Sequence, residues 1–355
     1  MSSVSVVVPC YRYGRYLEES VGSVLDQEGV DVRVLVIDDA SGDDSPDVAR
    51  EIASRDPRVE VSVHAANRGH IGTYNEGLLD WASGDYTVLL SADDRLAPGA
   101  LKRATELLDA HPNVGFAYGN VLWFHEGDRL PRARNRSRGW SVWNGEAWLE
   151  RRFRHARSGI NSPEVVVRTS LQKKVGGYDE RLPHLADTQM WLRLAAHGDV
   201  GYLRGVDQAY YRRHATNMSA AYTPLMTYEQ DLFAFESVLD RCADRLEDPA
   251  RLSSLVRRKL AWEALVTASR AYDRGETELT PIDELVEFAL ATWPGARSLP
   301  IYRALQLRRT IGPRVMPYLK PLALPAVLAR KAESAWLGLP AMRPLLSSGT
   351  WARYR

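Results

Sequence analysis

Two pairs of adjacent acids stand out in the first hundred residues. Asp38-Asp39 closes the run Val32–Ile37, and Asp93-Asp94 follows the run Thr87–Leu90. Each pair comes directly after a short β-branched stretch, where an open parallel sheet collects its ligands. Carboxylates gathered at one sheet edge repel each other unless a cation or hydrogen-bond donors lie beside them. Hard oxygens suit Mg2+ or Mn2+, and these ions complete their shells with water and substrate phosphate rather than with a full protein cage. That chemistry implies a phosphorylated ligand. The common alternatives are absent: no G-x-x-x-x-G-K-[ST] loop or dinucleotide-type G-x-G-x-x-G follows a strand, and neither an H-E-x-x-H helix nor a G-x-S-x-G elbow occurs.

The elements that must position these acids alternate in type. Val4–Val8, Val32–Ile37, Val59–Val63, Thr87–Leu90 and Val114–Tyr118 read as strands, separated by stretches with helical spacing such as Leu101, Ala104, Leu107 and Leu108. This alternation predicts an α/β fold with a mostly parallel sheet flanked by helices. Ser45 is placed to cap a helix with Pro46 in its first turn, and Pro98 to open the helix through Leu108. From Asp128 to Arg157, nine Arg and three Trp (Trp140, Trp143, Trp148) face three acids, which reads as a loop-rich excursion. Regular structure resumes at Glu164–Arg168, turns at Gly176-Gly177-Tyr178-Asp179, and re-enters a helix near Met190. Beyond Tyr222 a helical C-terminal region is expected over Leu232–Leu239, Leu252–Ala271 and, from a Thr280-Pro281 start, Leu285–Ala291. Pro313, Pro317, Pro321 and Pro325 then prevent a continuous helix.

Composition narrows the ligand classes. Among 355 residues, 46 Lys plus Arg balance 45 Asp plus Glu, so no nucleic-acid partner is expected. The balance is uneven: residues 301–355 carry ten Lys or Arg and only Glu333. This basic tail reads either as a helical extension or as a peripheral contact, through Trp336 and its bases, with an anionic membrane surface. Pro321–Ala329 is far shorter than the ~20 apolar residues of a spanning helix. Cys10 and Cys242 alone suggest a reducing compartment, and the start lacks the pattern of a secretory leader. A cytoplasmic location, with possible attachment at the inner face of the cell membrane, is the expectation.

Taken in order, the motifs resemble the family 2 glycosyltransferases, inverting nucleotide-sugar enzymes with a GT-A fold. The resemblance covers about residues 3–220. It is carried by Val4-Ser5-Val6-Val7-Val8-Pro9-Cys10-Tyr11, by Val36-Ile37-Asp38-Asp39-Ala40-Ser41, by Asn67-Arg68-Gly69 with Asn75-Glu76-Gly77-Leu78, and by Ser91-Ala92-Asp93-Asp94. It continues through Gly176-Gly177-Tyr178-Asp179-Glu180, Asp187 before Trp191-Leu192-Arg193-Leu194, and Tyr211-Arg212-Arg213-His214. The resemblance implies that Pro9, Tyr11, Asp39 and Asn67 border the nucleotide and that Asp93 faces ribose or sugar. It further implies that Asp94, in the D-x-D position, and His214 hold Mn2+ or Mg2+, and that Asp187 is the catalytic base. Residues 1–125 would form the nucleotide-sugar-binding half of the GT-A domain, 126–222 the acceptor-binding and catalytic half, and 223–355 the helical region with its basic tail. Ser91, Ala186 and Arg12 stand where the family pattern has two acids and an Asn.

Each motif also has a plainer reading by itself. Asp38 and Asp39 suit a solvated turn, Asp93 and Asp94 a helix start, and Asp187 an N-cap, which lowers a carboxyl pKa and weakens the base unless desolvation compensates. A lone His214 suits packing, and the Arg- and Trp-rich excursion suits a solvated loop. The sharper reading of that excursion is acceptor recognition by Trp140, Trp143 and Trp191, with Arg pairing to phosphate or carboxylate. The expected activity is transfer of a sugar from a nucleotide-diphosphate donor, UDP- or dTDP-linked, to a hydroxyl of a glycan, lipid-linked or small-molecule acceptor, as in bacterial polysaccharide biosynthesis. The alternatives are a nucleotidyltransferase and, given Ser91 and Ala186, a non-catalytic nucleotide-sugar-binding scaffold.

Overall fold

The computed structural model describes residues 1–157, 159–217 and 223–323. Most of the basic tail, including Trp336, lies outside the described residues. The chain divides into two compact units. Unit 1 comprises Met1–Glu150, Ser158–Ala220 and Arg241–Leu246; unit 2 comprises Arg151–Arg157, Ala221–Asp240 and Glu247–Arg355.

Unit 1 begins with the alternation expected from the sequence: β1 Ser3–Cys10, α1 Gly14–Leu25, β2 Asp31–Asp38, α2 Ser45–Arg55, β3 Val59–Val63, α3 Gly69–Asn75 and β4 Tyr86–Leu89. These strands pair in parallel, β3 to β2 to β1 to β4. The Val-rich strands bury both faces, as a parallel sheet with helices on each side requires. The α3 helix continues as a π-helical stretch, Glu76–Trp81.

Beyond β4 the sheet becomes mixed. A two-residue β5 Arg95–Leu96 and α4 Ala100–Ala110 lead to β6 Val114–His125, β7 Trp140–Trp143, α5 Gly145–His155, β8 Val165–Arg168, α6 Thr169–Val175, α7 Ala186–Ala195 and β9 Asp199–Arg213. β8 inserts antiparallel between β4 and β6, β9 runs parallel to β6, and β5 and β7 pair antiparallel with β9. The excursion is therefore more ordered than its composition suggests: it holds β7 and α5, and Trp148 packs edge-to-face on Phe116.

Two expected helix caps resolve differently. Ser45 is the first residue of α2, and its Oγ accepts from the Gly14 amide, while Asp43 accepts from the Ser45 amide. At the expected Thr280-Pro281 start of the third C-terminal helix, Ile282–Thr292, no side chain caps the helix. Unit 2 contains the helices α8 Pro224–Arg241, α9 Pro249–Arg274, α10 Ile282–Thr292 and α11 Pro300–Ile311. Ala261, Ala264, Leu265 and Ala268 of α9 form a core with Leu285, Val286 and Ala289 of α10 and Leu305 of α11. No helix among the described residues is long and apolar enough to cross a membrane.

Candidate active site

The ends of β1 and β2 are braced together before they present anything. Asp38 is fully buried and accepts from the Ser41 amide at 3.0 Å and from the Ser41 hydroxyl. The Ser41 Oγ in turn accepts from the Arg12 amide at 2.9 Å. Arg12 and Ala40 both have left-handed backbones, with φ of 59° and 58°. Non-glycine residues adopt that conformation at a cost of about 1 kcal/mol or more, so the brace holds two strained turns side by side. Cys10 lies beneath them, its thiol pushed up to about 12 by burial, and is chemically quiet.

Asp38 is occupied by Ser41, whereas Asp39, also buried, turns to the residues that follow β3 and open α3. Its Oδ1 accepts from the Arg68 amide at 2.7 Å and lies 2.7 Å from His64 Nδ1. His64 Nε2 and Arg68 both reach Glu76. The Asn67 amide group is occupied on the protein: Nδ2 donates to the Asp39 carbonyl at 3.1 Å, and Oδ1 accepts from the Gly69 amide. Asn67 thus positions Asp39 and starts α3. Pro9 is the penultimate residue of the neighbouring β1, and Tyr11, 43% exposed, offers a ring with the Arg12 guanidinium 5.1 Å from its centre.

The second acid pair is held from behind by Arg212. Its amide donates to Asp94 Oδ1 at 3.0 Å, its Nε to the Asp93 carbonyl at 2.9 Å, and its terminal nitrogen to Glu19 at 2.5 Å. The buried guanidinium lies 4.6 Å from the ring centres of both Tyr16 and Phe124. His214, two residues on, sets Nε2 3.0 Å from Asp93 Oδ2, while Tyr13 packs edge-on and Tyr16 stacks against its ring. Burial, reinforced by the charge of Asp93, pushes the Asp94 carboxyl well above its ordinary range. Carboxylates held in this way favour a cation. Among the described residues no group of three or more His, Cys, Asp or Glu forms a metal cage. An ion at Asp93, Asp94 and His214 would have to take most of its shell from phosphate and water.

Asp187 lies in the first turn of α7, one position inside the helix, and its Oδ1 accepts from the Thr188 amide at 2.6 Å. Such a bond lowers a carboxyl pKa, yet burial outweighs it and pushes Asp187 up to about 6. That is closer to the value useful in a general base at neutral pH than an exposed Asp would reach. Two tyrosines surround it. The Tyr74 phenol is pushed up by burial and then by the charges of Asp93, Asp187 and Asp94, which places it within electrostatic reach of both acid groups. The Tyr178 ring lies 5.7 Å from that of Tyr74 and is pushed up by burial and by Asp187.

Local sequence explains this placement. The Asn75 amide clamps the Tyr178 backbone from both sides, accepting from its amide at 2.6 Å and donating to its carbonyl at 3.0 Å. Gly177 packs so closely that a Cβ there would overlap the Asn75 side chain. Asp179 is tied to Arg181, Arg241 and Gln189, and the Arg181 bond holds its carboxyl well below the usual range. One turn before Tyr74 on α3, His70 bonds to the Pro183 carbonyl at 2.9 Å. Tyr74, His64 and Arg212 escaped the sequence reading of the site, although all three lie beside or within motifs that carried it.

The three tryptophans expected at the acceptor do not join this cluster. Trp191 is 2% exposed and packs on Phe116 with its face enclosed, so it serves the core and cannot offer a sugar-binding surface. Trp140 and Trp143 of β7 pair with Leu203 and Val200. Those residues lie beside Tyr118 and Phe116 of β6, at least seven residues before His125, which pairs with Arg213. At ~3.3 Å per residue this separates them from the His214 end by more than about 20 Å. A cavity of about 640 Å³ lined by Asn113, Arg168, Lys174, His197 and Asp199 also opens at the start of β6 and β9, away from the acids.

Residues 5–170 match the family profile for glycosyl transferase family 2. A glucosyltransferase of Campylobacter jejuni, named for GalNAc(5)-diNAcBac-PP-undecaprenol, is 33% identical over 129 residues, which is 36% of this chain and 41% of that protein. An uncharacterized glycosyltransferase of Nostoc is 34% identical over 112 residues, 32% of this chain and 34% of its own length. The chain thus spans less than half of these two curated relatives. Among solved structures, residues 1–349 of TarS from S. aureus in complex with UDP-GlcNAc superpose with a TM-score of 0.63 at 18% identity, covering 90% of this chain and 92% of that one. The mannosyltransferase PcManGT of Pyrobaculum calidifontis, in complex with GDP-Man and Mn2+, gives 0.50 at 17% identity over 87% of this chain and 86% of its own. Residues 5–170, which hold the parallel strands with their acidic ends, thus match glycosyl transferase family 2, and the chain shares the GT-A fold of these structural neighbours.

Proposed function

We propose that the protein is an inverting, metal-dependent glycosyltransferase that moves a sugar from a nucleotide-diphosphate donor to an acceptor hydroxyl. The observation that carries the reading is Asp187: a partly buried residue whose carboxyl group desolvation raises to about 6 despite its place at a helix start, within reach of a tyrosine shared with the acid pair. The nucleotide sugars bound by TarS and PcManGT support the donor class. Residues 1–125 would carry the donor and 126–222 the acceptor side.

In this mechanism Asp39 accepts a hydrogen bond from the base, which stacks on Tyr11 beside Pro9, and Asp93 binds ribose or sugar. Asp94 and His214 would hold Mn2+ or Mg2+, which when bound supplies positive charge against the departing diphosphate. Asp187 accepts the proton of the acceptor hydroxyl as that oxygen bonds to the anomeric carbon. The bond from that carbon to the diphosphate oxygen breaks on the opposite face, so the configuration inverts and no sugar-enzyme bond forms. Arg212 keeps the Asp93-Asp94 turn in place throughout.

Calorimetric titration of UDP, dTDP and GDP, with and without Mn2+, tests the donor site in the wild type and in Asp94→Asn. Metal-dependent binding of one nucleotide, weakened in the variant, is expected; absence of binding to all three would sink the proposal. Product analysis separates the chemistry, since a nucleotidyltransferase would release pyrophosphate instead of a nucleoside diphosphate.

A further inference from the structure

The segment between β6 and β7 leaves the end of β6 and crosses to the opposite side of β9, whose edge β5 covers at Ala209 and Tyr210. Its attachment points run in order: the Glu126 amide to the Arg213 carbonyl, the Asp207 amide to the Arg134 carbonyl, the Arg138 amide to the Arg204 carbonyl, then the β7 pairing at Trp140 and Leu203. Leu130 and Ala133 pack inward with Phe124 and Tyr210. Arg134 turns to the fully buried Asp207, to which its amide donates at 2.7 Å and its Nε at 3.0 Å. Gly205 allows the closest approach, with φ of 78° and the Arg138 side chain lying where a Cβ would project.

With its apolar residues and one arginine anchored, the segment leaves Arg129, Arg132, Arg136 and Arg138 exposed. Arg204 and Arg213 of β9 are exposed beside them, Arg213 with its guanidinium 4.8 Å from the centre of the Trp123 ring. None of the six has a carboxylate within ion-pair distance among the described residues. They are distributed between Arg213, next to His214, and Trp140, which is 37% exposed.

We propose that this set of arginines is the acceptor-binding track for an extended anionic glycan, a chain bearing phosphodiester or carboxylate groups, with its growing end at Asp187. The inference rests on the transferase reading above and adds the class of acceptor. Several exposed guanidinium groups suit the repeated anions of a polymer, since each can pair with one of them in bidentate fashion. The exposed Trp140 face suits a sugar ring. A membrane-docking face would instead combine cations with an amphipathic helix, and these arginines lie on extended chain.

The test uses full-length protein and fluorescent polyphosphate and polygalacturonate as probes, with neutral dextran and vesicles of equal phosphatidylcholine and phosphatidylglycerol as comparisons. The variant Arg129→Gln/Arg132→Gln/Arg136→Gln/Arg138→Gln removes four exposed charges, and Lys173→Gln/Lys174→Gln serves as a control for charge lost elsewhere. The four-site variant should bind the anionic polymers about tenfold or more weakly, with a shallower salt dependence. Dextran should not bind, and the lysine control should keep wild-type affinity. Unchanged polymer affinity in the four-site variant, equal weakening by the lysine control, or a loss confined to vesicles would each overturn the track. Nucleotide titration on the same samples separates the two claims: intact UDP binding with lost polymer binding supports both, whereas wild-type protein that binds polymer but no nucleotide refutes the transferase reading.

Discussion

Asp187→Asn should make the protein more stable while it removes turnover. Moving this carboxyl group from its ordinary value near 4 to about 6 corresponds to about 3 kcal/mol of folded-state penalty on the ionised form. The sign follows from linkage. Below about pH 4 the group is protonated in both the folded and unfolded chains, and it affects stability little. Between about pH 4 and 6 the unfolded chain ionises first, so stability falls as pH rises, and above about pH 6 the full penalty persists. Asparagine keeps the shape and the acceptor for the Thr188 amide but carries no charge. Urea unfolding of both proteins should therefore coincide near pH 4, and at about pH 7.5 the variant should be stabler by up to about 3 kcal/mol. Equal stability of the two proteins at the higher pH would refute the reasoning, because it would mean that water reaches the carboxylate.

Other perturbations follow from the same contacts. In the wild type, kcat/KM should fall with unit slope as pH drops below about 6, since protonated Asp187 cannot accept a proton; a limb near pH 4 would count against burial. Arg212→Met should weaken Mn2+-dependent UDP binding about 10–100-fold, as loss of a residue supporting metal ligands commonly does, and Arg212→Lys should recover little because one ammonium cannot reach the Asp93 carbonyl and Glu19 together, the backbone bond to Asp94 being common to all three proteins. Calorimetry with circular dichroism as a fold control decides this. Arg134→Met should destabilise unit 1 by about 3–5 kcal/mol by stranding the buried Asp207, whereas Arg136→Met should change stability by less than about 0.5 kcal/mol. Gly177→Ala should cost about 1–3 kcal/mol in thermal unfolding by forcing the Asn75 amide aside.

Much of the nucleotide side was legible from sequence because its signals are local. β-Branched runs ending in acids specify both a buried parallel strand and a polar strand end, and these features coincide at Asp38-Asp39 and at Asp93-Asp94. The division of labour within the first pair was not legible, since it depends on Ser41 turning back to Asp38 and on His64 arriving from β3. Tyr74 likewise becomes a site residue only when α3 is packed between the acid pair and α7. The antiparallel insertion of β8 and the length of β9 depend on pairings across the chain, which no local pattern encodes. Composition misled at the Arg- and Trp-rich stretch: Trp148 and Arg134 are anchors, and the exposed arginines between them hid an ordered edge.

The short α3 helix has a dynamic consequence. Residues 176–185 contain no strand or α-helix, and a free loop of that kind would exchange its amides quickly. Here it is stapled to α3 twice, by Asn75 to Tyr178 and by His70 to Pro183. The other side of α3 is fastened to Asp39 through Asn67 and Arg68. A loop attached in this way inherits the stiffness of the helix, and slow hydrogen exchange at Tyr178 should track that of α3. Catalytic alignment at Asp187 therefore depends on the mechanical integrity of seven helical residues that contribute only Tyr74 to its immediate surroundings.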